Sequence, residues 1–444
     1  MQAAQPASKT DSQSNSQTVS QSDDQSVSQI DSEPDSLSAG KTVSQTDSQL
    51  NSRPASKSDN KSESQSRSQT VSQTAKRIIY LDILRAIAII SITFNHAVNR
   101  SFAVYSRQLS EFQSLPFYMT AVKSGLYAFS RIGVPLFVMI TGALLLTRKY
   151  DGGLKEGSIS RFIKHNWLSL FITTEIWLAI MFWFLQFSNP ESILYTKGLQ
   201  YTLFRFVLTL LFINPITMGS MWYMDMILCM YLLIPIIAIA VKQIDGKYFL
   251  IPAAIVVFCS YILPDLNGTI KALGIDFSVK TKLESANIFS MYVVYLLLGY
   301  YISKGALAKI SSKALWLALS AGSLGFCAFQ IWFYSLKYNF VVGKEYRSIF
   351  PMIIAVALFE LARRYKDGTA ELLEKMVTKL SVISFGIYFV HICVMEGIKP
   401  LVGPNIKYLS KFALLESVSF FGAIVIIYLL SRSKILGKYL FNIK

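Results

Sequence analysis

The segment spanning residues 78–98 reads IIYLDILRAIAIISITFNHAV. At about 1.5 Å per residue, a helix of this length crosses about 30 Å of hydrocarbon. Its apolar run nevertheless carries Asp82, Arg85, Asn95 and His96. Ionisable groups inside a membrane helix are costly and mark functional candidates. Arg85 and His96 are separated by about 1100° of helical rotation, so they lie about 20° from eclipsed and roughly 16 Å apart along the axis. Asp82 stands one turn before Arg85 on the same stripe, close enough to pair with it. The segment therefore reads as a membrane helix with a charged pair near one end and an imidazole near the other. An interfacial ion pair and a boundary histidine would account for the same residues structurally, but histidine is also the side chain best suited to general-base work near neutral pH.

What surrounds this helix has the same character. Of the 444 residues 52% are hydrophobic and 16% charged, with a mean hydropathy of +0.41. Soluble chains rarely combine so many apolar residues with so few charges. Apolar runs long enough to span appear at about 78–98, 125–147, 166–187, 220–241, 247–264, 286–303, 314–334, 347–362, 380–397 and 412–431. The expected fold is all-α, a polytopic bundle of about ten transmembrane helices. Trp167, Trp177, Trp183, Trp222 and Trp316 fall near the ends of runs, where interfacial aromatic belts form. The break-prone stretch Arg131-Ile132-Gly133-Val134-Pro135 lies inside the second run; such breaks are tolerated where neighbours satisfy the freed backbone groups.

Residues 1–75 differ sharply. They are built from Ser, Gln, Asp and Thr, without an aromatic residue, and cannot bury enough apolar surface to offset ordering entropy. The division expected is a disordered tail over 1–75 and a membrane domain over 76–444. The beginning, Met1–Thr10, lacks the apolar core of a signal peptide.

The net charge of +16 resolves along the same division. The tail holds 6 Lys/Arg and 9 Asp/Glu, which leaves 37 of 43 basic and 18 of 27 acidic residues to the membrane domain. A basic nucleic-acid-binding tail is excluded. If the short stretch 200–213 does not cross, loops on one side carry 21 Lys/Arg in about 66 residues, against 14 in about 106 on the other. If it crosses, the totals become 16 and 18 and the bias disappears. The positive-inside rule thus predicts ten spans with both termini cytoplasmic, Arg85 toward the cytoplasm and His96 outward.

Cys229, Cys259, Cys327 and Cys393 each fall singly inside apolar runs, as small core residues do, and no metal site is expected. His391 lies in the ninth run, at the depth of His96, within Ser384-Phe385-Gly386-Ile387-Tyr388-Phe389-Val390-His391. Arg161 and Lys164 open the third run from the basic side, where an anionic ligand or lipid head groups would meet them. Glu175 and Asp225 are further polar groups within runs, each readable as a helix-packing hydrogen bond.

Taken in order, these features resemble the acyltransferase-3 family of bacterial integral-membrane O-acyltransferases over about 77–444. Arg85 and His96, ten residues intervening and preceded by Tyr80-Leu81-Asp82, look like the family's first-helix signature. Val134-Pro135-Leu136-Phe137 through Thr141-Gly142 is similar to the second-helix motif, with Thr141 where Ser is usual. Met221-Trp222-Tyr223 with Tyr231-Leu232-Leu233-Ile234-Pro235 resembles the Trp-containing helix, and Ile387-Tyr388-Phe389-Val390-His391 the late Tyr/His motif. Arg161 and Lys164 stand where paired arginines are common, and Lys lacks their bidentate fork. A fused hydrolase-like second domain is not expected after the last helix.

The resemblance implies transfer of an acyl group, with acetyl the first expectation, from cytoplasmic acyl-CoA to a hydroxyl of a cell-surface or lipid-linked glycan, at the bacterial plasma membrane. Acyl-CoA would be a donor substrate, and no cofactor would be permanently bound. Arg85, Arg161 and Lys164 would hold donor phosphates, with Asp82 orienting Arg85. His96 would be general base or acyl carrier, and Trp222, His391 and Tyr388 would line the acceptor side. Expected partners are acyl-CoA, the glycan, membrane lipids and the polysaccharide-synthesis machinery. The alternatives are a polytopic glycan exporter or flippase and a membrane scaffold whose tail recruits a partner.

Overall fold

A computed structural model describes residues 77–102, 115–150, 158–213, 215–216, 219–275, 277–279, 287–335, 346 and 348–442. The tail expected over 1–75 lies outside the described residues. Among those residues the chain is helical, with no strand. The elements are α1 (Ile79–Ser101), α2 (Phe117–Ser130), α3 (Gly133–Leu145), α4 (Ser158–Ser188), α5 (Ile193–Leu210), α6 (Trp222–Gln243), α7 (Gly246–Ala272) and α8 (Asn287–Ser303). They continue as α9 (Ser312–Ser335), α10 (Ile349–Arg363), α11 (Glu371–Ile398), α12 (Tyr408–Leu430) and α13 (Lys434–Phe441).

Among the described residues, eight helical stretches are by length and composition long and apolar enough to cross a membrane: α1, α2 with α3, α4, α6, α7, α9, α11 and α12. The two remaining predicted runs, 286–303 and 347–362, form the shorter helices α8 and α10. The chain is thus the polytopic helical membrane protein that its hydropathy predicts. The stretch 200–213 belongs to α5, which is broken at Gly198 (φ +79°) and leaves Leu203, Phe204 and Val207 exposed. It is not one of the eight.

α1 is the central element. It packs against α2, α3, α10, α11 and α12, and 67% of its most apolar stretch is buried, against 22% for α9. Its polarity is inverted relative to a soluble helix: Asp82, Ser91, Thr93 and Asn95 are buried while Ile83, Ile87 and Ile90 stay partly exposed. That is the arrangement expected when the outer solvent is hydrocarbon and polar groups find partners only inward. α11 lies along α1 in the same direction, because Ser381 meets Asp82 near one end and His391 meets His96 near the other.

The second apolar run is two helices. Pro135 has no N–H to donate to the carbonyl of Arg131, so the ladder breaks there. Ser91 of α1 donates to the nearby Phe129 carbonyl (2.8 Å) and satisfies one group at the break. α3 then crosses α8 at paired glycines: a Cβ on Gly142 would lie 1.9 Å from the Leu296 carbonyl oxygen, and one on Gly299 1.9 Å from that of Met139. Without a hydrophobic force between helices in lipid, such close backbone approach is a main source of association.

α4 starts at Ser158 and contains a π-turn at Ile163–Trp167. Trp177 departs from the belt expectation. It is buried, stacks on Phe389 with rings 2° from parallel, and donates to the Leu440 carbonyl (2.8 Å). Its indole N–H is satisfied by a neighbouring helix instead of by the interface.

Candidate active site

At the first end of α1, Asp82 is 1% exposed and collects every donor in reach. Arg77 Nε lies 2.5 Å from Oδ2, Ser381 Oγ 2.6 Å from Oδ1 and Arg85 Nη1 3.2 Å from Oδ1. Thr378 Oγ1 adds a long contact of 3.5 Å. Buried charge is tolerated when it is paired and hydrogen-bonded, and here the pairing fixes the Arg85 guanidinium. Arg85 keeps 28% of its side chain exposed and presents it to a cavity of about 360 Å³.

That cavity lies among α1, α3, α4, α6 and α11, with Arg148 as a second guanidinium and Asn166, Tyr231, Ser381 and Ser384 among its polar groups. Among the described residues no carboxylate lines it. Two guanidiniums without a competing acid form a site for an anion of phosphate type, since guanidinium geometry suits phosphate oxygens. Tyr150 packs edge-on against Phe162, and Phe162 stacks on Tyr231 behind the cavity. Burial pushes the Tyr150 hydroxyl up to about 12, and it donates to the Leu145 carbonyl (3.1 Å).

The other end of α1 holds the imidazoles. The rings of His96 and His391 are 5.2 Å apart, centre to centre. His96 is half-buried and His391 fully buried. His391 Nδ1 donates to the Ile387 carbonyl (2.7 Å), which in the neutral ring leaves Nε2 as the acceptor nitrogen. That Nε2 is buried and has no hydrogen-bond partner among the described residues. Arg100 pairs with Glu396 and also donates to the His96 carbonyl (3.3 Å), so an ion pair ties α1 to α11 one turn beyond the histidines.

A third group adjoins this end. Arg131, fully buried at the α2–α3 break, donates to Asn99 Oδ1 (3.3 Å). Its guanidinium lies 4.1 Å from the Tyr127 ring centre and 5.5 Å from that of Tyr346. Trp222 packs 5.5 Å from Tyr346 and 6.0 Å from Tyr292. Tyr388 donates to the Ser220 carbonyl and packs beside Tyr223. Both Tyr388 and Tyr223 line the Arg85 cavity, which therefore reaches one turn short of His391.

The structure brings Asp82 and Arg85 into contact, places His96 against His391, and puts Tyr388 between the two groups. Trp222 sits in the aromatic group with Tyr346. Arg161 and Lys164 are not brought to Arg85: both are exposed, neither lines its cavity, and Lys164 faces a separate cleft. Arg148 takes the second cationic position, and sequence reasoning missed it. The available signal was its place as the first basic residue after the Thr141-Gly142 motif. Ser381 was missed as well. With Ser384, Tyr388 and His391 it repeats at three- and four-residue steps, one face of a helix.

Chemically, the arrangement offers an anion site and a base roughly 16 Å apart along one rigid helix. A family profile described as an acyltransferase domain matches residues 78–432. No curated protein and no solved structure matches the chain.

Proposed function

The chain belongs to the acyltransferase-3 family, and from that premise we propose that it transfers an acetyl group from cytoplasmic acetyl-CoA to a hydroxyl of a cell-surface or lipid-linked glycan. It does so in the plasma membrane, with the Asp82 end of α1 and both termini facing the cytoplasm. The observation that carries this reading is the pairing along α1 of a double-guanidinium cavity with a histidine pair.

Arg85 and Arg148 hold the donor's phosphates, and Asp82 keeps Arg85 from rotating away. The pantetheine arm is long and thin, and it runs along α11 past Ser384 and Tyr388 toward the histidines. His96 takes the proton of the acceptor hydroxyl as that oxygen attacks the thioester carbonyl. The C–S bond breaks, the acyl group becomes an ester, and the coenzyme A thiolate leaves and is protonated. His391, through its open Nε2, lies beside His96 on the acceptor side. Trp222 and Tyr346 add aromatic surface of the kind that packs on sugar rings.

The test compares a deletion strain carrying wild type or His96→Ala at equal expression. Surface glycan is analysed before and after mild alkaline de-esterification. The expected result is unchanged polymer that lacks the alkali-labile ester groups. Full acylation in the His96→Ala strain would overturn the assignment of His96, and loss of the polymer itself would favour export over acylation.

A further inference from the structure

Beside the Arg85 cavity, α4 and α13 enclose a second and larger cleft of about 900 Å³. The two spaces share only Asn442 among their lining residues. We propose that this cleft seats an anionic phospholipid, with its phosphate on Lys164, Lys434 and Lys438 and its chains along Leu168 and Ile172.

Three ammonium groups line the cleft and, among the described residues, no carboxylate does. Lys164 stands on the π-turn of α4, while Lys434 and Lys438 are one turn apart on α13. All three are exposed, and the Lys438 ammonium lies 5.2 Å from the ring centre of its neighbour Tyr439. An unneutralised set of like charges at a helix end attracts an anion, and each ammonium near a membrane surface changes anionic-lipid affinity by about fivefold.

The same cleft carries the apolar half of an amphiphile. Leu168 and Ile172 follow Lys164 on α4 at steps of about 6 Å, and they are 40% and 37% exposed. Charge thus gives way to hydrocarbon along the wall, as it does from head group to chain in a lipid. A free phosphate would use only the lysine end. α13 is built for this boundary: Phe441 is buried against the bundle, while Ile435 and Leu436 are 69% and 39% exposed beside the lysines. Such a short basic amphipathic helix lies in an interface plane. Its attachment is firm, through the Leu440 carbonyl to Trp177 Nε1 and through Asn442 Oδ1 to Ser169 Oγ (3.2 Å).

The experiment is native mass spectrometry of the full-length protein in detergent, titrated separately with phosphatidylglycerol, phosphatidylcholine, acetyl-CoA and inorganic phosphate. The proposal expects retained phosphatidylglycerol adducts, with phosphatidylcholine at least about tenfold weaker. It also expects at least about tenfold loss of phosphatidylglycerol in the variant Lys164→Gln/Lys434→Gln/Lys438→Gln. The matching Lys→Arg variant should retain the lipid. If the triple Gln variant does not purify, Lys434→Gln/Lys438→Gln on the exposed helix carries the test, with at least about fivefold loss expected. Equal retention of the two lipids, or of phosphatidylglycerol by the Gln variants, overturns the proposal. So does lysine-dependent binding of acetyl-CoA or phosphate without lysine-dependent binding of lipid, which would make the cleft a soluble-phosphate site.

Discussion

The two ends of α1 are built to opposite rules. At the Asp82 end one buried carboxylate receives Arg77, Arg85, Ser381 and Thr378. At the His96 end Arg100 and Arg131 are paired, but the His391 Nε2 is buried and has no hydrogen-bond partner among the described residues. A saturated cluster holds a guanidinium in one geometry before any ligand arrives, and that preorganisation lowers the cost of binding. An unsatisfied imidazole in a low-dielectric setting is costly to keep, and it persists where a transient partner completes it. Under the proposed function this contrast corresponds to donor binding at one end and chemistry at the other.

The largest test of that contrast is His96→Ala in membranes supplied with acetyl-CoA and glycan acceptor. Removing a general base costs about 10²–10⁴ in rate, so kcat should fall by about three orders of magnitude while the KM for acetyl-CoA stays within about twofold. A rise in donor KM as large as the fall in kcat would merge the two ends. Next in size is Asp82→Ala. It removes charge-assisted bonds from two guanidiniums, a loss of about 2 kcal/mol in stability. That is less than for a fully buried pair, because Arg77 and Arg85 remain 46% and 28% exposed. Donor KM should rise as well, since Arg85 is released. Thermal unfolding of the purified protein and donor titration read the two effects, and unchanged donor KM would separate Asp82 from donor binding. A smaller effect is expected of His391→Gln, about a tenfold drop in kcat with donor KM unchanged, read in the same assay.

Much of this architecture was legible in the sequence because membrane helices obey few rules. Apolar length gave the spans, and the position of α5 outside the set of long apolar helices agrees with the charge bias that removed 200–213. The alignment of Asp82, Arg85 and His96 needed only the helical repeat, because α1 is unbroken. Where the repeat is interrupted, legibility ends. The π-turn at Ile163–Trp167 adds a residue to one turn and so rotates Arg161, which precedes it, by about 100° relative to the rest of α4. Trp177 lies in the apolar run where hydropathy reports length and not rotation, so its burial against Phe389 left no trace in composition. Ser381 falls at the beginning of a predicted run, whereas α11 already starts at Glu371, and its partnership with Asp82 links residues almost 300 positions apart.

The finest test concerns which cations join Arg85, because sequence and structure divide there. The resemblance, and their place at the basic start of the third run, nominate Arg161 and Lys164, whereas the cavity holds Arg148. Arg148→Gln and Arg161→Gln are surface-accessible changes of equal charge, and each leaves Asp82, Ser381 and both histidines in place. If the donor's phosphates sit in the cavity, Arg148→Gln should raise the KM for acetyl-CoA about five- to tenfold, the worth of one charge-assisted contact. Arg161→Gln should leave it within about twofold, as expected of an exposed charge away from the site. kcat at saturating donor should be unchanged in both, because neither residue touches the histidine end. Equal KM effects would mean that the phosphates lie across the exposed start of α4 and not inside the cavity, and the binding end of α1 would then have to be redrawn around Lys164.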